Sequence, residues 1–560
     1  MSNVTGSPAT SSVVKVFIGA AALCCLAGLA SGQVVRQAAG VSEKVLPALR
    51  QRAAASSAPL KVWVFFHDKG LSPAAESAAI NELARTYPAR ATHRRELRRT
   101  DPSVFDVRDL PVAPAYKAMV AGLGLEIVQE SRWANAVSVR VCEGQLAALS
   151  ALACVREISP VRTGRSVPVV DAAPTTPTYV ARDFYGLSSD QLTQIDLPAL
   201  HARGYTGQGV VIGILDTGFR RDHDAFNQAG HVVNVLAEYD FINHDTNAGI
   251  DPGDDPDQHV HGTLILGCIG AYFPGTLVGG AYEASFVLCK TEDVTSETPI
   301  EEDNYVAGLE FIELHGGDMA TSSLGYIDWY TQADLNGATA VTTLAVNVAT
   351  ANGLVCCTAA GNEGHDEDPA TSHLIAPADA LNVLTCGAAD ATGTIAGFSS
   401  DGPTADGRLK PEILALGVRT LTVWPGNNTQ YAQASGTSLS TPLVASAVAC
   451  LIQAHPEWSV AQMRQAIFAS ASDFVTNGVA DPLFVRGYGM LDANLAAGVP
   501  CDPDMNQDGN ADQGDVDYLL NVVAGGDNPT AVDPDFNRDG NVDQGDVDAL
   551  INVVAGGACP

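Results

Sequence analysis

In the middle of the chain, apolar residues come in short unbroken runs instead of the alternating pattern of a half-exposed sheet. Residues 210–215 form one such run and residues 354–358 form another, as is typical of strands buried on both faces of a parallel sheet. The longer apolar stretches 262–269 and 445–454 have the length of buried helices. This pattern predicts an α/β domain with a mainly parallel sheet flanked by helices.

Polar residues stand at the ends of these runs. Asp216 follows the first strand run, and Asn362 follows the second within Ala-Ala-Gly-Asn-Glu-Gly; the carboxyl ends of strands in open α/β sheets face the ligand crevice. His261 precedes one predicted helix, and Ser438 opens the other. An Asp can orient an imidazole that removes the proton of a serine hydroxyl. An Asn amide beside a helix N-terminus can stabilise an oxyanion.

The chain order Asp, His, Ser separates the unrelated folds that carry these three residues. Chymotrypsin-like enzymes have the order His, Asp, Ser, and α/β-hydrolases have Ser, Asp, His. The motifs around Asp216, His261, Asn362 and Ser438 closely resemble those of the subtilase family of serine peptidases, over roughly residues 185–499. The resemblance implies a peptidase domain in which Asp216, His261 and Ser438 form the catalytic triad. It also makes Asn362 the oxyanion-hole side chain.

The same resemblance assigns the substrate cleft. Ser323, Leu324 and Gly325 would pair with the substrate backbone. Together with Ala360 and Gly361, they would also line the pocket for the residue before the scissile bond. The substrates are then proteins or peptides.

Several alternatives compete with this interpretation. The family usually has a second His three residues after the catalytic one, where this chain has Leu264. His259 is a competing base, but it lacks the Gly-Thr pair that follows His261. That His-Gly-Thr motif also disfavours a sedolisin-type site, in which Glu replaces His. The competing functional class is a catalytically inactive, calcium-dependent binding protein on a subtilase scaffold, which the intact motifs disfavour.

The region before the peptidase domain has its own strand and helix pattern. Strands are predicted at 60–66, 125–130, 136–141 and 155–158, and helices at 74–87 and 143–152. This β-α-β-β-α-β order resembles the ferredoxin-like α+β propeptides of subtilases. By that resemblance residues 33–165 are the protein's own inhibitory propeptide, and residues 166–184 are a linker where processing occurs. An independent substrate-binding domain is the alternative.

Residues 1–32 have the pattern of a signal peptide. Lys15 precedes an apolar stretch of about 15 residues that ends in small side chains, which is too short to span a membrane. Leu23 before Cys24 disfavours a lipoprotein. Since no other stretch was expected to cross a bilayer, we predict a secreted protein, located extracellularly or in the cell envelope.

Residues 501–560 contain an internal repeat. Residues 502–526 and 533–557 align without gaps, with 20 of 25 positions identical. Each repeat has oxygen-bearing side chains at alternate positions, a Gly at the sixth and a carboxylate at the twelfth, as in a calcium-binding EF-hand-type loop. The predicted Ca²⁺ ligands are Asp504, Asn506, Asp508, Asn510 (backbone), Asp512 and Asp515 in the first repeat, and Asp535, Asn537, Asp539, Asn541, Asp543 and Asp546 in the second.

One helix follows each loop, predicted at 516–523 and 547–554. The paired repeats resemble a small all-α dockerin type I module, which implies docking to a cohesin-like partner. At the positions that serve recognition in that family, this chain has Gln-Gly in both repeats. A further calcium site within the peptidase domain is conceivable at the acidic residues 251–257, where a solvated loop is favoured.

Charge is distributed unevenly. The chain carries 31 Lys and Arg against 64 Asp and Glu, a net charge of −33. Residues 1–165 have 20 basic against 12 acidic side chains (net +8), residues 166–500 have 10 against 39 (net −29), and residues 501–560 have 1 against 13 (net −12). The acidity excludes nucleic acid and anionic membranes as partners. A basic propeptide would be attracted to an acidic peptidase domain.

Cysteine positions predict two possible disulfides. Cys501 and Cys559 bracket the repeats, and Cys142 could pair with Cys154 in the propeptide. Six others lie in apolar runs and are expected to be buried free thiols: Cys268, Cys289, Cys356, Cys357, Cys386 and Cys450.

Overall fold

The computed structural model describes residues 44–555 except 56–58, 163–164, 167–171, 176–182, 296–301, 328–329, 499–502, 509, 531, 533, 535 and 537–541. The predicted signal peptide, both ends of the Cys501–Cys559 pair and the second-repeat ligands Asp535, Asn537, Asp539 and Asn541 therefore lie outside the described residues. The predicted Cys142–Cys154 disulfide is wrong: both are free thiols, Cys142 exposed at the start of a helix and Cys154 buried. The six cysteines of the apolar runs are buried and free, as predicted.

The N-terminal region is a four-stranded antiparallel sheet with helices, in the strand order β2-β3-β1-β4. Its elements are α1 (Pro47–Ala55), β1 (Leu60–Phe66), α2 (Pro73–Thr86), α3 (Ala89–Arg98), α4 (Pro114–Ala121), β2 (Ile127–Ser131), β3 (Ala136–Val141), α5 (Glu143–Ser150) and β4 (Val155–Pro160). The four predicted strands are present: β1 and β3 have the predicted bounds, whereas β2 and β4 have shifted ends. Between β1 and β2 there are three helices where the sequence predicts one.

The additional helices change which helix covers the sheet. Val120 of α4 and Leu149 of α5 pack in the core of the sheet with Val64. The predicted helix 74–87 forms as α2, but none of its residues is buried. It contacts α3 through a separate small cluster around Tyr87 and Phe105. The pair α2–α3 is thus an insertion that stands away from the sheet's core.

Two short strands follow, β5 (Arg165–Ser166) and β6 (Ala173–Thr175), and both pair with the domain that comes next. That domain contains α6 (Ser189–Thr193), α7 (Leu197–Ala202), β7 (Val211–Asp216), β8 (Asn227–Gln228), β9 (His231–Val232), β10 (Asn234–Asp240), α8 (Val260–Gly270), β11 (Tyr272–Phe273), β12 (Leu277–Val278), β13 (Ser285–Lys290), α9 (Glu302–Leu314), β14 (Met319–Ser322), β15 (Leu324–Gly325), α10 (Val341–Ala351), β16 (Val355–Ala359), β17 (Leu384–Ala389), β18 (Ile413–Leu416), β19 (Thr420–Val423), β20 (Tyr431–Ala434), α11 (Thr437–Ala454), α12 (Val460–Ser470), α13 (Ser472–Asn477) and α14 (Ala493–Ala496).

Seven of these strands form one parallel sheet in the order β10-β13-β7-β14-β16-β17-β18. Along β7, Ile212 and Ile214 pack against α8 and α11 on one face. Val211 and Leu215 pack on the other face in the cluster that includes α9 and α10. Burial on both faces explains the unbroken apolar run at 210–215, and it confirms the predicted parallel α/β architecture.

The N-terminal sheet packs on the α9 side of the seven-stranded sheet. Side chains of β1 alternate: Val62, Val64 and Phe66 lie in their own domain's core. Trp63 and Phe65 join the apolar cluster around α9 and α10. The two domains therefore share a buried apolar interface.

Among the described residues, one helix is long and apolar enough to cross a membrane, Thr437–Ala454, and 89% of its apolar window is buried inside the protein. It is the central core helix α11. In the repeat region, α15 (Gln513–Val523) and α16 (Gln544–Val554) pack together around Val516, Leu519, Val547 and Leu550. Both helices begin three residues before the predicted positions, because Asp512 and Asp543 cap them.

Candidate active site

Asp216 and His261 form a hydrogen-bonded pair at the carboxyl edge of the sheet. Asp216 is the last residue of β7 and is fully buried. Its Oδ1 lies 2.7 Å from Nδ1 of His261, the second residue of α8. The same oxygen accepts a hydrogen bond from the Thr217 N–H at 2.7 Å, which helps to hold the carboxylate in place. Since Nδ1 is bound to the carboxylate, Nε2 is the nitrogen left to exchange a proton elsewhere.

Nε2 of His261 is buried and has no hydrogen-bond partner within the described part of the chain. Buried polar atoms are seldom left without a partner, so this nitrogen is suited to a proton that it receives during a reaction. Burial lowers the pKa of His261, but the charge and hydrogen bond of Asp216 and the charge of Glu292 outweigh burial and raise that pKa above its ordinary value of 6.5. A raised pKa makes the ring a stronger base.

Ser438 is the second residue of α11, so it lies at the positive end of a long helix. It is fully buried. The Ser323 hydroxyl donates a hydrogen bond of 2.9 Å to the Ser438 carbonyl, and the Ser438 Oγ lies 3.4 Å from the Ser323 carbonyl oxygen. Ser323 follows β14, which pairs with β7. Ser438 is thereby held at the same edge of the sheet as Asp216.

Asn362 lies three residues after the end of β16. Its Oδ1 accepts hydrogen bonds from both the N–H and the hydroxyl of Thr437, each 2.9 Å long. Because the oxygen is engaged by two donors, the amide orientation is fixed and Nδ2 is its donor end. The residue beside Ser438 therefore positions the Asn362 amide directly. The structure brings Asp216, His261, Ser438 and Asn362 to one edge of one sheet.

The residues predicted to line the cleft are buried and lie along the same edge: Ser323, Leu324, Gly325, Ala360 and Gly361. Leu324 and Gly325 form β15, which pairs antiparallel with β5 of this chain, Leu324 opposite Ser166 and Gly325 opposite Arg165. A Cβ at Gly325 would lie 1.9 Å from a side-chain atom of Ile375, so only glycine fits there. Strand β15, which is predicted to bind a peptide, thus already pairs with residues 165–166 of this chain.

Sequence reasoning missed the supports behind these residues. Gln258 is buried and its amide donates to the carbonyl oxygen of Thr217 at 2.6 Å and to that of Glu292. Tyr326 donates from its hydroxyl to the Glu292 carboxylate at 2.5 Å. These side chains connect the end of β7 to the end of β13. No motif marks them, and burial of a polar side chain is the signal that finds them. The competing base His259 caps α8, and Asp216 bonds His261 instead.

The acidic loop before His261 is organised around a lysine. Asp240, Asp245 and Asp251 bring carboxylate oxygens within 4.8 Å of one another. Lys290 is fully buried, and its Nζ lies 2.7 Å from Asp240 and 2.6 Å from Asp254. Burial lowers the pKa of Lys290, but the two carboxylates outweigh burial and raise it. The loop 251–257 is largely exposed, as expected, and Asp251 and Asp254 also tie it to Lys290 at the end of β13.

The first repeat loop closes on itself through its own carboxylates. Asp515 is fully buried and accepts backbone hydrogen bonds from Asn506 at 3.0 Å and from Asp512 at 2.8 Å. Asp504 Oδ1 and Asn506 Oδ1 both accept from the Asp508 N–H. Asp543 and Asp546 repeat the arrangement of Asp512 and Asp515 at the start of α16. Asp504, Asn506 and Asp515 thus accept backbone hydrogen bonds within the loop, whereas Asp508, Asn510 and Asp512 are exposed.

The chain matches two family profiles. Residues 207–490 match the Subtilase family, and residues 61–173 match the Peptidase S8 propeptide domain of Bacteroidota. Subtilisin E of Bacillus subtilis (strain 168) is 28% identical over 382 residues, which are 68% of this chain and 85% of subtilisin E. Subtilisin of Bacillus pumilus is 30% identical over 314 residues, which are 56% of this chain and 98% of that protein.

A solved structure shares the fold. The crystal structure of fervidolysin from Fervidobacterium pennivorans superimposes with a TM-score of 0.52 at 20% identity, over 79% of this chain and 61% of that chain. At this identity the likeness concerns the fold alone. The profile that spans 207–490 covers half of the chain and includes Asp216, His261 and Ser438. This chain therefore belongs to the subtilase family and is a subtilisin-like serine endopeptidase with a propeptide domain.

Proposed function

We propose that the protein is a secreted endopeptidase that works through Asp216, His261 and Ser438 and is made as a self-processed zymogen. The observation that carries the proposal is the 2.7 Å bond from Asp216 to His261 Nδ1, with Nε2 of that ring buried and left for a second partner. Such a pair activates a serine hydroxyl at the same edge.

The reaction follows from these positions. Ser438 Oγ attacks the scissile carbonyl carbon while His261 Nε2 accepts the hydroxyl proton, and Asp216 stabilises the imidazolium that forms. Asn362 Nδ2 and the Ser438 N–H donate to the developing oxyanion. His261 then gives its proton to the leaving amine, which leaves an acyl-enzyme on Ser438. Water, deprotonated by His261, hydrolyses the ester and restores the serine.

We propose that a substrate peptide pairs with β15 in the same way as β5 does in this chain. An extended peptide that adds to a free strand edge gains main-chain hydrogen bonds without regard to its side chains. Residues 165–166 already occupy β15 in this way. We infer that this segment is the propeptide's own tail in the cleft, which blocks substrates until the chain is cut between residues 166 and 188. Ser323, Leu324 and Gly325 then pair with substrate, and Ala360 and Gly361 wall its pocket.

Replacing the nucleophile tests the function. Ser438→Ala should reduce peptide hydrolysis by about a million-fold, the loss found for the same change in subtilisin, and should leave the chain uncut. N-terminal sequencing of the wild-type enzyme should find a start between residues 166 and 188. Full hydrolysis and normal cutting by Ser438→Ala would refute the proposal, and a start near Gln33 would refute the zymogen.

For the repeats we propose two calcium loops in a dockerin-like module that attaches the enzyme to a cohesin-like partner. The fit rests on the donor set: carboxylate and amide oxygens suit a hard cation, and the first loop is closed across nine residues by the Asn506 to Asp515 bond. The ligands would be those named above in the two repeats. A bound Ca²⁺ would neutralise the carboxylates of each loop.

A further inference from the structure

Helix α3 presents a row of arginines to the peptidase domain. Arg90, Arg94 and Arg98 are spaced by four residues, so they lie on one face of the helix. Arg94 and Arg98 are only 2% and 4% exposed. Arginine is seldom buried without partners, so the surface that receives this helix must supply acceptors.

The acceptors are the carboxyl ends of three peptidase helices. Arg90 Nε donates to the carbonyl oxygen of Gly316 at 2.9 Å, just after α9. Arg94 donates to the carbonyl oxygens of Gly317 and, at 3.3 Å, of Asn352, just after α10. Arg98 Nε donates to that of Pro456 at 2.8 Å, just after α11. Helix carboxyl ends carry partial negative charge and carbonyls without intrahelical partners, so guanidinium groups suit them.

Two carboxylates complete this surface. Glu313, in the last turn of α9, is fully buried and pairs with Arg94, Arg95 at 2.9 Å and Arg132 at 2.8 Å. Burial raises the pKa of Glu313, but the three arginines outweigh it and lower that pKa to about 2. Asp318 pairs with Arg90 and also accepts the Val211 N–H at 2.9 Å, so it holds the start of β7 as well.

Glycines let the helix come this close. A Cβ on Gly316 would lie 2.8 Å from the Arg90 side chain, and one on Gly353 would lie 2.6 Å from the Arg98 side chain and 3.0 Å from its backbone. Both glycines have left-handed φ values, 78° and 81°, at the ends of α9 and α10. They end these helices and also clear the space for α3.

This surface is remote from the reacting groups. In a parallel α/β sheet the helices run back to the amino edge, so their carboxyl ends gather at the edge opposite Asp216. The six residues of β7 separate the two edges by about 17 Å. A ligand here can bind without touching the cleft that residues 165–166 occupy.

We propose that the amino edge of the peptidase sheet is a guanidinium-binding site for an arginine-rich helix, and that α3 of the cut propeptide keeps it filled after processing. We call this contact the arginine clamp: Arg90, Arg94 and Arg98 against Gly316, Gly317, Asn352, Pro456, Glu313 and Asp318. It rests on the proposed zymogen. The clamp gives the propeptide a hold on the enzyme that does not depend on its tail in the active site.

The test compares Arg94→Gln with Arg85→Gln in the full chain. Arg85 lies on α2 of the same insertion, and among the described residues it pairs with Glu82 alone, both side chains being exposed; it is therefore a matched control. Each variant is allowed to process, its serine is blocked with a fluorophosphonate, and the lifetime of the propeptide–enzyme complex is followed by native mass spectrometry after dilution. We expect a lifetime at least 100-fold shorter for Arg94→Gln and within two-fold of wild type for Arg85→Gln.

If the Arg94→Gln chain does not fold, a second measurement tests the clamp on the wild-type enzyme. A labelled peptide of residues 86–100 is titrated onto wild-type, fluorophosphonate-blocked mature enzyme, beside the same peptide with Arg94→Gln. Saturable binding that the substitution weakens at least ten-fold supports the clamp. Equal binding of both peptides, or equal lifetimes in the first experiment, overturns it while the enzyme remains active. A chain that neither cuts itself nor reacts with the fluorophosphonate refutes the proposed function, and the clamp with it.

Discussion

Two acidic loops of this chain gather their carboxylates in different ways. In the peptidase domain, Asp240, Asp251 and Asp254 surround the ammonium group of Lys290, which is fully buried. In the first repeat, Asp504, Asp508, Asp512 and Asp515 lie within one twelve-residue loop, and the only basic residue of the 501–560 sequence is Arg538 in the other repeat. The peptidase loop receives its cation from a side chain of the same domain. By our proposal, the repeat loop takes its cation from solution.

The peptidase domain and the repeats also differ in the size of their hydrophobic cores. The peptidase loop is attached to a seven-stranded sheet with large apolar clusters on both faces. The repeats share a small cluster of six buried apolar side chains. A module of this size needs a staple such as a metal ion, and metal binding then supplies folding free energy. Calcium should therefore stabilise the repeats and leave the peptidase loop unaffected.

Asp216 is the buried carboxylate whose partner matters most to function. Asp216→Asn should reduce kcat by about ten thousand-fold, because the amide no longer holds the useful imidazole tautomer. In the wild type His261 must be neutral to act, so kcat/KM should fall as pH drops through its raised pKa, with a midpoint above 6.5. The variant loses the charge that raises this pKa but keeps the burial that lowers it.

The residual activity of Asp216→Asn should consequently fall at a lower pH than that of the wild type. A pH profile of kcat/KM for both enzymes measures the shift. An unchanged acidic midpoint would show that Asp216 does not control the His261 pKa.

Lys290→Met should destabilise the peptidase domain by about 3–5 kcal/mol, because it leaves buried carboxylates without their counter-charge. Thermal unfolding in a Ser438→Ala background, which prevents self-digestion, measures the loss. Adding Asp240→Asn to Lys290→Met is the control and should restore part of the stability. A variant as stable as its parent would show that the lysine is dispensable to the loop.

Removing calcium should unfold the repeats and spare the peptidase. Hydrogen exchange of the mature enzyme in a chelator should lose protection in α15 and α16 while α8 and α11 keep theirs, and hydrolysis should continue at an unchanged rate. Retained protection in α15 and α16 would contradict the calcium loops. Loss of hydrolysis instead would show that the internal lysine does not replace a metal in the peptidase domain.

The smallest expected difference is between the two repeats themselves. Asp508→Ala and Asp539→Ala remove the same position from loops that are 20 of 25 positions identical. Calorimetric titration of calcium into each full-chain variant should show one site weakened, by the same factor in both within about two-fold. A large effect of one variant alone would show that the repeats are not equivalent.

The sequence predicted those residues whose roles depend on neighbours along the chain. The run at 210–215 is apolar because both faces of β7 are covered, and Asp216, His261 and Ser438 begin or end the elements on which they were placed. Helix α3 could not be predicted in this way. Its sequence is strongly basic, and a pattern of arginines indicates a solvated surface.

Arg94, Arg95 and Arg98 of α3 are buried, and Glu313, more than 200 residues away in the sequence, accepts the charge of Arg94 and part of that of Arg95. A pattern within α3 cannot reveal a partner so distant in the sequence. Lys290, at the end of β13, and Gln258, in the loop before α8, were missed because a single polar residue forms no motif. Both calcium loops stay predictions, and the central residues of the second loop lie outside the described part of the chain.

The most direct test of the catalytic account is mass-spectrometric mapping of a fluorophosphonate on the processed enzyme. The account predicts one label per molecule on Ser438, blocked hydrolysis in proportion to labelling, and no label in Asp216→Asn within the time that saturates the wild type. A label on another serine, or active enzyme that takes up none, would contradict it.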